Sequence, residues 1–371
     1  MPHIEPNFEL NAVIRGSQLT VVGTVRALRN AELFKYEHFR QAALAIAIGI
    51  VIQLIVQIPI ISVKFFIWMT SLVVDLENVT WDDRLLNGLG FLNNSVLQIP
   101  FHLMTLMRYV TPTLDEIFMQ SLQWVDATYV DKHKADDPRS LRAMYYPSLS
   151  MYSTKGKVGG SKPIPEAMMQ FLRRYGRKVG MMLGAYLLSF VPFIGRLVMP
   201  AASFYTFQKT VGTSPAGLIF GIGLLILPKH FLITFLHTYF ASRSLMRELL
   251  EPYFCRIKFT PEQKRRWFAD REGVLFGFAY AFTIVIRIPF IGVLMYGVAE
   301  ASTAYLITKI TDPPPVPGES EGFAESQVTW KNKHDFLQLS LDSLDKINMA
   351  AQQNHEGEKS EIDGSPGRKF S

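Results

Sequence analysis

RIPFIG, residues Arg287–Gly292, sets an arginine, a proline and a glycine in the middle of an apolar stretch running from Gly273 to Thr308. Proline removes a backbone donor and pushes the residue before it out of the helical region, so the stretch is expected to break here. Related breaks occur as QIPII (Gln57–Ile61), QIPFH (Gln98–His102) and FVPFIG (Phe190–Gly195). Three further apolar blocks, 42–74, 179–207 and 216–241, carry central prolines at Pro59, Pro192 and Pro228, as Pro289 does in the fourth. A basic residue lies close to each break: Lys64, Arg196, Lys229 and Arg287.

Every block exceeds the roughly 20 residues needed to cross a hydrocarbon core about 30 Å thick. The pattern predicts an all-α, multi-pass integral membrane protein built from proline-broken helices or helical hairpins. A kinked span would leave the cations at mid-depth, at an apparent cost of about 2.5 to 3.5 kcal/mol each. A hairpin would divide a block into arms of about 15 residues, each reaching only about 22 Å. Hairpins or broken helices are favoured for the first and last blocks, and the two geometries are balanced for the middle pair. Gly195 and Gly292, just past their breaks, ease a close turn.

Composition agrees. Of 371 residues 49% are hydrophobic and 19% charged, and the apolar residues are concentrated in blocks as no ordinary soluble chain has them. A single cysteine, Cys255, excludes an intramolecular disulfide. The first forty residues lack the uninterrupted apolar run of a cleaved signal peptide. The 38 Lys and Arg outnumber 32 Asp and Glu and border the blocks, which suits anionic lipid headgroups better than nucleic acid. The chain then divides into a cytoplasmic N-terminal segment (1–41), a membrane domain (42–310) and a polar tail (311–371) expected to be disordered. Within that tail Phe336, Leu337, Leu341, Leu344 and Ile347 have the spacing of one short amphipathic helix. Basic loops at 173–178 and 243–271 are expected on the cytoplasmic side, with the connector 208–215 facing away or embedded. The sequons at Asn78 and Asn93 matter only if that loop is lumenal.

Two connecting segments carry helix signatures. From Thr113, with Glu116 three residues on, a helix is expected with Leu114, Ile117, Phe118, Leu122, Val125 and Tyr129 on one face. In FTPEQKRRWFADREG, Thr260 is the expected cap, Pro261 the first helical residue and Gln263 the second half of a capping box. Lys264, Arg265 and Arg266 followed by Trp267 predict a basic and aromatic pairing for the headgroup zone. A weak internal repeat relates VPFIGRLVMPAAS (Val191–Ser203) to IPFIGVLMYGVAEAS (Ile288–Ser302). The small residues Ala299, Ala301, Ser302 and Ala304 suit close helix packing.

Catalytic patterns are missing: there is no nucleophile elbow, no phosphate-binding loop and no H-E-x-x-H. His230 and His237 share a helix face but do not make a metal site, so neither a metal, a cofactor nor an enzyme is expected. Arg196, Lys229 and Arg287, with Glu300 further along, are the candidate anion-binding residues if the broken helices form a permease, since half-helix N-termini and cations together hold anions. If the breaks are only hairpin tips, the same arginines reach to headgroups. A structural role is favoured for Glu300. Membrane lipids are the expected partners, a homo-oligomer is left open, and the partner of the tail is unassigned.

The stretch Glu248–Phe278, ELLEPYFCRIKFTPEQKRRWFADREGVLFGF, continued by RIPFIGVLMYGVAEASTAYLITK to Lys309, resembles fungal membrane proteins of the UsgS type. Those are similar to the outer spore wall and lipid-droplet family of budding fungi. The resemblance is best from Lys178 to Pro315, with a fainter echo in the first block. It implies residence at the endoplasmic reticulum, lipid droplets or spore wall, a part in lipid storage or spore-wall assembly, and no catalytic residue. More remotely, long helices with prolyl hairpins resemble the CysZ-like sulfate permeases and the etoposide-induced membrane protein group, which implies anion transport as the alternative. The loop Asp131–Pro165 and the tail have no counterpart in either.

Overall fold

The RIPFIG block folds as two helices joined at the expected break. The computed structural model describes residues 9–34, 113–137, 141–153, 229–286, 288 and 291–346, with isolated helical positions elsewhere. In chain order its helices are α1 (Leu10–Arg29), α2 (Thr113–Lys132), α3 (Tyr145–Ser150), α4 (Lys229–Leu249), α5 (Glu251–Arg256) and α6 (Pro261–Asp270). They continue as α7 (Glu272–Ile286), α8 (Ile291–Ile310), α9 (Phe323–Ser326) and α10 (Lys333–Gln338), with short 3-10 turns at Ala31–Phe34, Pro317–Glu319 and Leu341–Lys346. Every regular element among the described residues is helical, which establishes the all-α class. Among these residues no helix is long and apolar enough to cross a membrane. Pro59, Pro192, Pro228, Pro289 and the repeat at 191–203 lie outside the described residues.

The turn between α7 and α8 is tight. The Ile288 N–H donates to Val285 O at 3.0 Å, and the Gly292 N–H donates to Ile288 O at 2.8 Å. A Cβ on Gly292 would stand 2.0 Å from Ile286 O, so only glycine allows α8 to start so close to the end of α7. At the other end, Arg271 Nε donates to Ile310 O at 2.9 Å, which joins the start of α7 to the end of α8 and makes the pair an antiparallel hairpin. α7 has 15 residues and is about 22 Å long, the length expected of a hairpin arm.

α1 lies across this hairpin. Its buried stripe is Ala12, Gly16, Leu19, Thr20, Gly23 and Ala27. Gly16 and Gly277 let the two backbones meet: a Cβ on Gly16 would lie 2.1 Å from Val274 O, and one on Gly277 2.0 Å from Val13 O. Ser17 Oγ donates to Gly277 O at 3.2 Å, and Thr20 Oγ1 to Phe278 O at 2.8 Å. Further along, Gly23 meets Ser302 of α8. Small residues spaced about a turn apart allow such an approach, and the hydroxyls add bonds to the partner backbone. α1 is therefore part of the same core as α7 and α8.

α2 shows the expected stripe. Ile117, Phe118, Leu122 and Val125 are buried in the core that α2 shares with α8, Tyr129 is buried under Arg142, and Leu114 is partly buried. The capping box of α6 also forms: Gln263 N–H donates to Thr260 Oγ1 at 3.2 Å, and the Thr260 N–H to Gln263 Oε1 at 2.8 Å.

The described part of the tail, 311–346, departs from the expected disorder. Val328, Trp330, Phe336 and Leu344 are buried. Gln327 closes a loop on Asp312, accepting from its N–H at 3.0 Å and donating to Oδ2 at 2.7 Å. Arg15 of α1 donates to the carbonyls of Leu337 (3.0 Å) and Leu339, and Lys333 pairs with Glu9 at 3.3 Å. The polar composition concealed a few aromatic anchors spaced widely enough to seat an otherwise hydrophilic strap. In place of the expected single amphipathic helix, α10 stops at Gln338 and a 3-10 turn begins at Leu341; Ile347 lies outside the described residues.

Candidate functional site: an apolar hairpin tip on an arginine-riveted base

Exposure is distributed unevenly along the hairpin. From Arg271 to Leu275, and again from Val298 to Thr311, every residue is buried. Toward the turn the outward positions Tyr280, Ile284, Ile288, Ile291 and Leu294 are between 42% and 50% exposed. Between Gly273 and Ala299 the sequence has one charged residue, Arg287, whose placement lies outside the described residues. The outer face of α1 is also apolar and exposed, through Leu10, Ile14, Val21, Val25 and Leu28. In the first block Ile61, Phe65 and Met69 are helical, spaced by four, and exposed. Exposed apolar side chains gathered on one face of an element suit a membrane or partner contact.

The base is held by buried arginines. Arg271 lies 4.6 Å from the Trp267 ring and 5.4 Å from that of Trp330, besides its bond to Ile310 O. Burial pushes its guanidinium down to about 10, so it remains protonated at neutral pH. Arg256 makes a two-pronged pair with Asp115 at 2.7 Å on both arms and thereby ties α5 to α2. Arg142 donates to Asp126 at 2.8 Å while stacking on Tyr129 and Tyr145. Planar, two-pronged guanidinium contacts of this kind fix orientation as well as distance.

Trp267 corrects the expected surface pairing. It is fully buried, edge-on to Phe254 at 5.0 Å, and faces the core instead of a headgroup layer. Of the basic residues before it, Lys264 pairs with Glu251 at 2.9 Å over the Phe254 ring, Arg266 pairs with Glu262 at 3.3 Å, and Arg265 is exposed. The helical period decides this: the three cations and Trp267 are consecutive, so they point in different directions around α6.

Of the four candidate anion-binding residues, only Glu300 has its side chain among the described residues. Arg196 and Arg287 lie outside them, Lys229 opens α4 with its side chain outside them, and Glu300 is fully buried in α8. Among the described residues no three His, Cys, Asp or Glu side chains could hold a metal ion.

A different cluster, not anticipated from the sequence, joins α4 to α7. Glu272 Oε1 accepts from Arg243 at 2.6 Å and from the Tyr239 hydroxyl, while Oε2 is buried without a partner. Behind it Ser242 Oγ meets Thr283 Oγ1 at 3.0 Å. Met246, Phe268, Leu275 and Phe276 complete a half-open cleft whose enclosed part has about 20 Å³ of room, enough for one water molecule. Arg247, one turn beyond Arg243, lies 5.8 Å from the ring of Phe268, which lines the cleft. The sequence signal was present: arginines four apart close one apolar block and a glutamate opens another.

Burial raises the Glu272 carboxyl above its ordinary value of 4.5, against the opposing pull of Arg243, Tyr239 and Arg247. A raised folded-state value means that the native protein binds this proton more tightly than the unfolded chain. Its contribution to stability is full below pH 4.5 and is lost as pH rises through the raised value. Melting midpoints measured across that window should fall with pH in the native protein. In Glu272→Gln, which keeps the acceptor for Arg243 and Tyr239, that component should be flat; an unchanged slope would remove Glu272 as its source.

The elements define an all-helical protein whose hairpin is apolar at its turn and polar at its base. No known family, curated protein or solved structure matches the chain.

Proposed function

We propose that this chain is a non-enzymatic membrane protein of the endoplasmic reticulum and lipid droplets, held by apolar hairpin tips and serving lipid storage or spore-wall assembly. The observation that carries the reading is the polarity of the α7–α8 hairpin: exposed apolar residues gather at its turn and buried arginines at its base. Arms of 15 and 20 residues suit partial insertion, because a droplet bears a single monolayer and admits a hairpin but no loop on a far side. The resemblance of Glu248–Lys309 to UsgS-type fungal proteins, themselves similar to the spore-wall and droplet family, points the same way.

Flotation tests it. After lipid loading, the tagged protein should rise with purified droplets. Ile284→Asp combined with Ile291→Asp should shift most of it to the soluble or bilayer fractions, since each buried charge costs about 2.5 to 3.5 kcal/mol in a hydrocarbon layer. Complete retention of the unmodified protein in bilayer membranes would overturn the droplet assignment.

A further inference from the structure

The cleft between α4 and α7 has the makings of a site that the anchoring role does not use. Two charged side chains line it, Arg243 from α4 and Glu272 from α7, and Arg247 lies just outside against the Phe268 ring, so the neighbourhood carries one positive charge in excess when the glutamate is ionised. α6 brings only Phe268 to the cleft, and the remaining titratable group is Tyr239, engaged with Glu272. Arg247 has no ion-pair partner among the described residues; its contact is the Phe268 ring. Two like charges a turn apart on one helix repel, so the arrangement gains when an anion joins them. The walls are apolar, formed by Met246, Phe268, Leu275 and Phe276, and one side is open.

We propose that this cleft binds a phosphate monoester, its oxyanion held at the rim by Arg247 and by Arg243, with apolar substituents lying along Phe268, Leu275 and Phe276. Arginine suits such a ligand because its planar donors match phosphate oxygens in pairs. Glu272 sets the strength of binding. Ionised, it holds Arg243 inward and opposes the incoming charge; protonated, it releases part of that hold and its orphaned Oε2 becomes a donor within the cleft. Protonation of Glu272 therefore tightens binding of the phosphate in a given ionisation state. The same chemistry is offered by an acidic lipid headgroup and by free phosphate.

The test uses the full-length protein in neutral detergent, titrated calorimetrically with dihexanoyl phosphatidic acid and separately with inorganic phosphate. Arg247→Gln, an exposed position whose change leaves the core intact, should weaken binding about tenfold, with Arg247→Lys intermediate because charge returns without the paired donors. Glu272→Gln should tighten binding several-fold near neutral pH and remove the part of the pH dependence that Glu272 contributes, leaving that of the phosphate's own second ionisation near about pH 6. Phosphatidic acid bound about tenfold more tightly than phosphate would identify a lipid headgroup, since buried acyl carbons add affinity; equal binding would identify the free anion. Either result upholds the site. Binding of neither probe, or binding untouched by Arg247→Gln, overturns it. Because the assay needs no droplet, its failure is distinct from a failure of flotation.

Discussion

Gly277→Ala is expected to destabilise the protein by about 3 kcal/mol or more, at the upper end of what overpacking costs, because rigid backbone would have to move instead of a side chain. The new Cβ would meet Val13 O at 2.0 Å, its carbonyl carbon at 2.8 Å and its Cα at 3.0 Å. Nothing at that contact is the flexible end of a side chain. α1 and α7 would have to separate by about 1 Å, which stretches the bonds from Ser17 to Gly277 O and from Thr20 to Phe278 O beyond useful length. Gly318→Ala is the control, since a Cβ there meets nothing within 4 Å, and it should stay within about 0.5 kcal/mol of the native protein. Melting in neutral detergent reads both. Equal midpoints for the two variants would show that α1 does not rest on Gly277.

The second large effect is expected at Arg271. Arg271→Met takes a buried cation from between Trp267 and Trp330 and leaves Ile310 O without its donor. Loss of a buried charged hydrogen bond together with its ring contacts should cost about 3 kcal/mol. It should also act at a distance. Trp330, further held by its N–H donating to Asp270 Oδ2 at 2.6 Å, is the first anchor of the strap that runs on to Arg15. Limited proteolysis should cut between Asp312 and Trp330 much faster in the variant. Arg271→Lys should rescue little, because an ammonium cannot stack between two indoles and reach Ile310 O together. A strap as protected in Arg271→Met as in the native protein would locate the rivet elsewhere.

These two positions also show what the sequence makes legible. The break in the fourth block could be read because proline and glycine act locally, and α7 and α8 end and begin on either side of it. The stripe of α2 and the capping box of α6 were readable for the same reason: each is written within one or two helical turns. α1 was not, because its packing face is made of Ala12, Gly16, Thr20 and Gly23, which carry little hydrophobic signal, and the surface that receives them lies near Phe278. Its clue was the spacing of small residues, which gains meaning only with a partner. Trp267 was misjudged by adjacency, since consecutive helical residues share no face. The Glu272 cluster escaped because Tyr239 and Arg243 belong to a helix that is neighbouring in space and some thirty residues earlier in sequence.

The meeting of Ser17 with Gly277 spans 260 positions of the chain, and that separation has a consequence for synthesis. At about 5 to 20 residues per second, a ribosome needs roughly ten to fifty seconds to deliver α7 after α1 has emerged. Throughout that interval Leu19 and the backbone at Gly16 lack the α7 surface that covers them in the folded chain. A premature stop anywhere before Phe278 removes that surface for good.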